Sequence, residues 1–134
     1  MATATKTRKP HTLNREQVTN VKRWIKALRS GEFRQAKEQL KKDAGYCCLG
    51  VACVVTRTRF KATDGGLPPA AMKKIGLRDD QGYYEGPDGE LSCLGEGRSL
   101  VDHNDEDNWS FKRIARFVEQ QLKTNSRGLF PRPE

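Results

Sequence analysis

Apolar residues recur at helical spacing in two stretches of the chain. In the first, Val18, Val21, Trp24, Ile25 and Leu28 form one stripe, with Lys22, Arg23, Lys26 and Arg29 on the opposite face. The flanks say where this helix begins. Asn14 offers a capping oxygen, Gln17 stands at the position that reaches back, and Leu13 is placed to staple against Val18. Gly31 supplies a left-handed stop. In the second stretch, Phe111, Ile114, Ala115, Val118 and Leu122 follow a Ser110 cap, with Trp109 and Ile114 as the staple. Between the two lies one long uncharged run, Gly45-Tyr46-Cys47-Cys48-Leu49-Gly50-Val51-Ala52-Cys53-Val54-Val55, in a chain that is 31% charged. A run this apolar must be buried. Its length suits a strand or a helix, and it is read as a helix entered at Tyr46. The small residues Gly50 and Ala52 predict close packing against another backbone.

The remaining pattern is weaker. Residues 32–43 admit a short helix with Phe33, Ala36 and Leu40 on one side. Residues 56–66 read as a loop. Leu67-Pro68-Pro69 opens a short helix that runs through Ile75 and stops at Gly76. Gly82 to Leu94 carries a hairpin signal, two short runs around Pro87-Asp88-Gly89. Residues 1–12 read as a flexible basic arm, residues 13–123 as one globular domain, and residues 124–134 as a disordered tail. The expected fold is α+β. It is an α-rich single domain in which two amphipathic helices pack on the buried Cys-rich segment, with one small β-hairpin.

Composition narrows the class. The chain has 134 residues, 35% of them hydrophobic, which is enough for one modest core. No run approaches the roughly 20 apolar residues that cross a bilayer, so no membrane role is expected. The basic start lacks the apolar core of a secretory signal. Four cysteines without an export signal point to reduced thiols inside a cell. Charge is divided unevenly. Residues 1–42 hold 12 Lys/Arg against 3 Asp/Glu, whereas residues 77–107 hold 2 against 10. The formal net charge is +8. A basic face of this kind draws phosphate- or carboxylate-bearing partners.

Several motifs resemble a family of small, uncharacterised proteins of tailed bacteriophages and prophages. They are Trp24…Ala27-Leu28-Arg29-Ser30-Gly31-Glu32-Phe33…Gln35, then Tyr46-Cys47-Cys48-Leu49-Gly50-Val51, then Leu67-Pro68…Gly76-Leu77. Last come Asn104-Asp105 and Ser110-Phe111…Ile114-Ala115…Val118-Glu119. The similarity covers roughly residues 21–120. It implies an accessory protein acting in the cytoplasm of an infected bacterial host, and it implies no particular activity. The chain departs from the pattern at Val101-Asp102-His103, where relatives are more apolar, so the resemblance carries no role to His103.

Three functions are open to these residues. The first is non-enzymatic binding of an anionic partner (nucleic acid, a nucleotide or an acidic host protein), with Arg23, Lys26, Arg29, Lys73 and Lys74 on the binding face. Contacts of that kind go to charge and not to sequence. Countering host machinery or defence is the analogous role. The second is a cysteine-dependent hydrolase or transferase. Cys47 or Cys48 would be activated at a helix N-terminus, with His103 as base and Asp105 or Asn104 orienting it. The third is a structural virion or assembly component, and a homo-oligomer fits that role. Phosphate-loop signatures are absent, and no cofactor is expected. Metal binding is disfavoured, because adjacent Cys47 and Cys48 do not readily share one ion. A calcium loop from Asp102 fails, with Asp107 where glycine is required and Arg113 where glutamate is. Asp102, Asp105, Glu106 and Asp107 are instead expected to pre-charge the start of the last helix. Tyr83 and Tyr84 are expected to pack across the hairpin, with base stacking as the alternative.

Overall fold

A computed structural model of the chain describes residues 10–85 and 99–133. Helix α1 (Arg15–Ser30) forms where its signals place it. The Asn14 side chain accepts from Gln17 N at 2.8 Å, Gln17 Oε1 accepts from Asn14 N at 2.9 Å, and Gly31 ends the helix at φ 79°. Its stripe buries Val21, Trp24, Ile25 and Leu28, while Val18 stays half-buried. The Cys-rich run is a helix, α2 (Cys48–Val55), and it begins two residues later than Tyr46, with Cys47 as the cap. Trp24 Nε1 donates to Cys48 O at 2.8 Å, which fixes α1 on α2.

Residues 32–43 are not helical. They contribute β1 (Arg34–Gln35) and β2 (Lys41–Lys42), which flank β3 (Gly45–Tyr46) in a small sheet of order β1-β3-β2, parallel on the first side and antiparallel on the second. The reason lies in long-range partners. Leu40 is fully buried, its N–H donates to Asp64 O at 2.8 Å, and its carbonyl accepts from Cys47 N at 3.1 Å. A Cβ on Gly50 would sit 2.0 Å from that same carbonyl oxygen, so α2 reaches this strand only through a glycine.

Helix α3 (Pro69–Ile75) ends at Gly76, φ 71°. Two carbonyls of its last turn are satisfied from α1, Lys73 O by Gln17 Nε2 at 2.9 Å and Lys74 O by Asn20 Nδ2 at 3.0 Å. Helix α4 (Leu100–Asp105), capped by Ser99, is an element the pattern did not announce. Helix α5 (Phe111–Thr124) is capped by Ser110 as expected. Its stripe departs at one point: Gln121 is buried and Leu122 only half-buried, because the Gln121 amide bonds Arg127 N and Ser126 Oγ. The fold is α+β, with α1 packed against α2, α3 and α5, and α4 bridging α2 and α5.

Residues 125–133 are not the disordered tail expected. Asn125 takes the left-handed conformation, φ 45°, and its side chain pairs with both backbone groups of Phe130. Leu129 and Phe130 are then fully buried. The end of the expected arm is held too: Thr12 N donates to Pro131 O at 3.0 Å and Asn125 Nδ2 to Pro10 O at 3.0 Å. Arm residues 1–9 lie outside the described residues, as do residue 134 and the turn and second run of the expected hairpin. Tyr83 pairs with Ser99 in an isolated antiparallel bridge.

Candidate functional site

The five cations singled out for binding do not form one face. Lys26 and Arg29 line a groove between α1 and α5, whereas Arg23 and Lys74 line a second concavity of about 750 Å³ beside the end of α2. Lys73 is exposed on α3. Lys74 has an internal task, since its Nζ donates to Thr56 O at 3.0 Å and approaches Thr58 Oγ1 at 3.2 Å, closing the C-terminal end of α2.

The groove is larger, about 1000 Å³. Its floor is apolar, made by Leu13, Val18 and Ile25 from the start and face of α1 and by Leu122 from α5. Its rim is cationic: among the described residues, Arg15, Lys22, Lys26, Arg29 and Lys123 are all exposed around it, against the single carboxylate of Glu119. Arg29 and Glu119 cross the groove as a two-point pair, with Nη–Oε distances of 2.8 and 3.2 Å. That hydrogen-bonded pairing lowers the Glu119 pKa and raises that of Arg29. Arg15, Lys22 and Lys123, which the sequence pattern did not single out for binding, also line this groove. The signal was present for the first two, because residues 15, 22, 26 and 29 keep helical register beside the apolar stripe. Lys123 required knowledge that α5 packs alongside α1.

The thiols and His103 are not joined. Cys47 Sγ accepts from Gly50 N at 3.4 Å, and Cys48 Sγ lies 3.7 Å from Leu100 O. Burial raises the Cys47 pKa to about 11 and that of Cys53 to about 12, and it pushes Cys48 well above the ordinary thiol value. Desolvation therefore outweighs any gain from the helix N-terminus, and the thiols stay protonated. His103 Nε2 meets the Tyr84 hydroxyl at 3.1 Å and Nδ1 meets Asp107 Oδ2 at 2.8 Å. The imidazole also stacks on Trp109 with centroids 3.8 Å apart. Tyr84 is buried against this ring and Phe117, a packing role. Asn104 is the hydrogen-bonding hub at the start of α2. Its Oδ1 accepts from Cys48 N at 3.3 Å and Gln35 Nε2 at 2.9 Å, while its Nδ2 donates to Ala36 O and Asp105 Oδ1. The arrangement holds α2, α4 and β1 together. Cys93 lies outside the described residues.

The acidic run Asp102–Asp107 belongs to α4 and its C-cap rather than to the start of α5, whose first turn holds no carboxylate. Among the described residues, no group of three or more His, Cys, Asp and Glu side chains is placed to hold a metal ion. No helix among them is long and apolar enough to cross a membrane.

Residues 17–74 match a family described as a domain of unknown function (DUF8296). The match takes in most of α1, the small sheet, α2 and nearly all of α3; the α5 wall of the groove lies beyond it. No curated protein and no solved structure matches the chain.

Proposed function

We propose that this chain is a binding protein without chemistry of its own, and that it holds an anionic partner in the groove between α1 and α5. One observation carries the reading: among the described residues, five exposed cations ring a single concavity that contains one carboxylate, already paired. Such a ring raises the local concentration of anions and orients them before contact. The buried, protonated thiols and the fully engaged His103 leave the cysteine-hydrolase reading without support. The resemblance to phage and prophage proteins supports an extension of the proposal. The partner would then belong to an infected bacterium, the protein would act in that host's cytoplasm, and capture would serve to block host machinery or defence.

The test uses a fluorescein-labelled glutamate polymer as probe. Lys22→Glu, Lys26→Glu and Lys123→Glu together should abolish the anisotropy change, and raising salt should weaken it in the parent protein. Arg23→Glu with Lys73→Glu, outside the groove, should leave it close to the parent. Equal binding by parent and groove variant, with both folded by circular dichroism, would overturn the proposal.

A further inference from the structure

We infer that the occupant of the groove is an acidic amphipathic helix of a protein partner. The inference rests on reading the groove as an anion-binding surface, and it adds the chemistry of its floor. Val18 and Leu122 belong to the apolar stripes of α1 and α5, yet both remain half-buried and face the groove. Their outer parts are apolar surface that the core does not cover, lying over the buried Ile25 and Leu13. A free phosphate, a nucleotide phosphate or a flexible polyanion gains nothing from such a floor, whereas the apolar face of a helix does.

The shape agrees. Residues 15, 18, 19, 22, 25, 26 and 29 of α1 repeat at three- and four-residue steps, so the groove follows the helix axis from Arg15 to Arg29. That distance is about 21 Å at the ordinary helical rise. A partner helix of about 14 residues covers the same length. Its apolar side chains at i, i+3 or i+4, and i+7 would meet the floor, and flanking carboxylates would meet Lys22, Lys26 and Arg15 on one side and Lys123 on the other. Among the described lining residues there is no Phe, Tyr or Trp, and the one aromatic ring, His11, is buried against Phe130, which leaves no open platform of the kind on which single-stranded nucleic acid stacks.

Two occupants from this chain fit poorly. Residues 1–9 carry Lys6, Arg8 and Lys9 and no carboxylate, so the rim repels them. The acidic helix α4 of a second copy has only six residues, and its Leu100 is fully buried in its own core. The Arg29–Glu119 pair completes the picture as an exchangeable latch. It is exposed, with side chains 42% and 38% accessible, so an incoming carboxylate displaces Glu119 at little cost.

The experiment compares three labelled probes on the full chain. They are a 16-residue peptide with Leu at helical spacing flanked by Glu, its scrambled isomer, and a single-stranded oligonucleotide. The patterned peptide should bind at least about tenfold tighter than the isomer, as expected when two or three aliphatic side chains are buried. Val18→Ser with Leu122→Ser should erase that preference while leaving the weak binding of the isomer. Thr19→Trp, at an exposed position in the groove, should block the patterned peptide even if the serine variant is unstable. Glu119→Gln should tighten it severalfold by freeing Arg29. If patterned and scrambled peptides bind alike, or the oligonucleotide binds tightest, the helix assignment is wrong and the anionic groove survives. If none of the three probes responds to the Lys22, Lys26 and Lys123 reversals, the underlying reading fails as well.

Discussion

Cys47, Cys48 and Cys53 show how one residue type in one short run can take a role opposite to its chemistry. Two of them stand where a helix N-terminus would favour a thiolate, yet all three are buried and raised above the ordinary thiol range. In the folded protein they should resist iodoacetamide until denaturant is added, read thiol by thiol by peptide mass spectrometry; rapid modification of Cys47 or Cys48 alone would reinstate the nucleophile. The linkage to pH has a definite sign. A thiol whose folded pKa lies above its unfolded value stabilises the fold fully below about pH 8.5. That contribution is lost as pH rises toward the folded values, by up to about 1.4 kcal/mol per pH unit for each proton retained. The urea midpoint should therefore be flat up to about pH 8 and fall by about pH 10, with a shallower fall in Cys53→Ala. The residue pattern announced that most of the run is buried, although Val54 near its end is exposed and Tyr46 and Val55 are half-buried. Whether its thiols react depended on the depth of their burial, which is set by packing that no local spacing identifies.

At the scale of elements, the helices with complete local signals were legible. Asn14, Gln17 and Gly31 bracket α1, and Ser110 opens α5, because caps act within a few residues of the backbone they satisfy. Residues 32–43 were not legible, since only the β2–β3 pairing is local: β1 pairs with β3 past β2, which intervenes in sequence, and Leu40 and Lys41 bond Asp64 and Ala62, which are remote in sequence. Helix α4 escaped for the same reason: six residues with one fully buried leucine make no periodic stripe. The groove was half legible, since its α1 wall is written in one helix but its α5 wall enters only through packing. The junction of α2 with the Leu40 segment gives the strongest test of this level. Gly50→Ala places a methyl group against a backbone carbonyl with no flexible side chain to yield. It should destabilise the protein by about 1–3 kcal/mol or prevent folding, measured by urea denaturation. A neutral effect would mean that α2 and the strand are farther apart than described.

For the whole molecule, the segment after α5 changes what counts as the domain. Phe130 is fully buried with Leu129, so Phe130→Ala should cost about 3–5 kcal/mol, a large part of the stability of a domain this size, read as a drop in thermal midpoint. Arg132 and Arg78 both pair with Glu85, whose pKa falls below the usual carboxylate range chiefly through its hydrogen bond to Arg132. The negatively and positively charged parts of the chain thus meet at this anchor. The two bonds that join Thr12 to Pro131 and Pro10 to Asn125 have a topological consequence. They bring the approach to α1 and the departure from α5 side by side, so the path from Pro10 to Pro131 returns almost to its start, like a ring. In a ring the order of elements has no privileged beginning. A circular permutant linked across this seam would keep both walls of the groove on one covalent hinge.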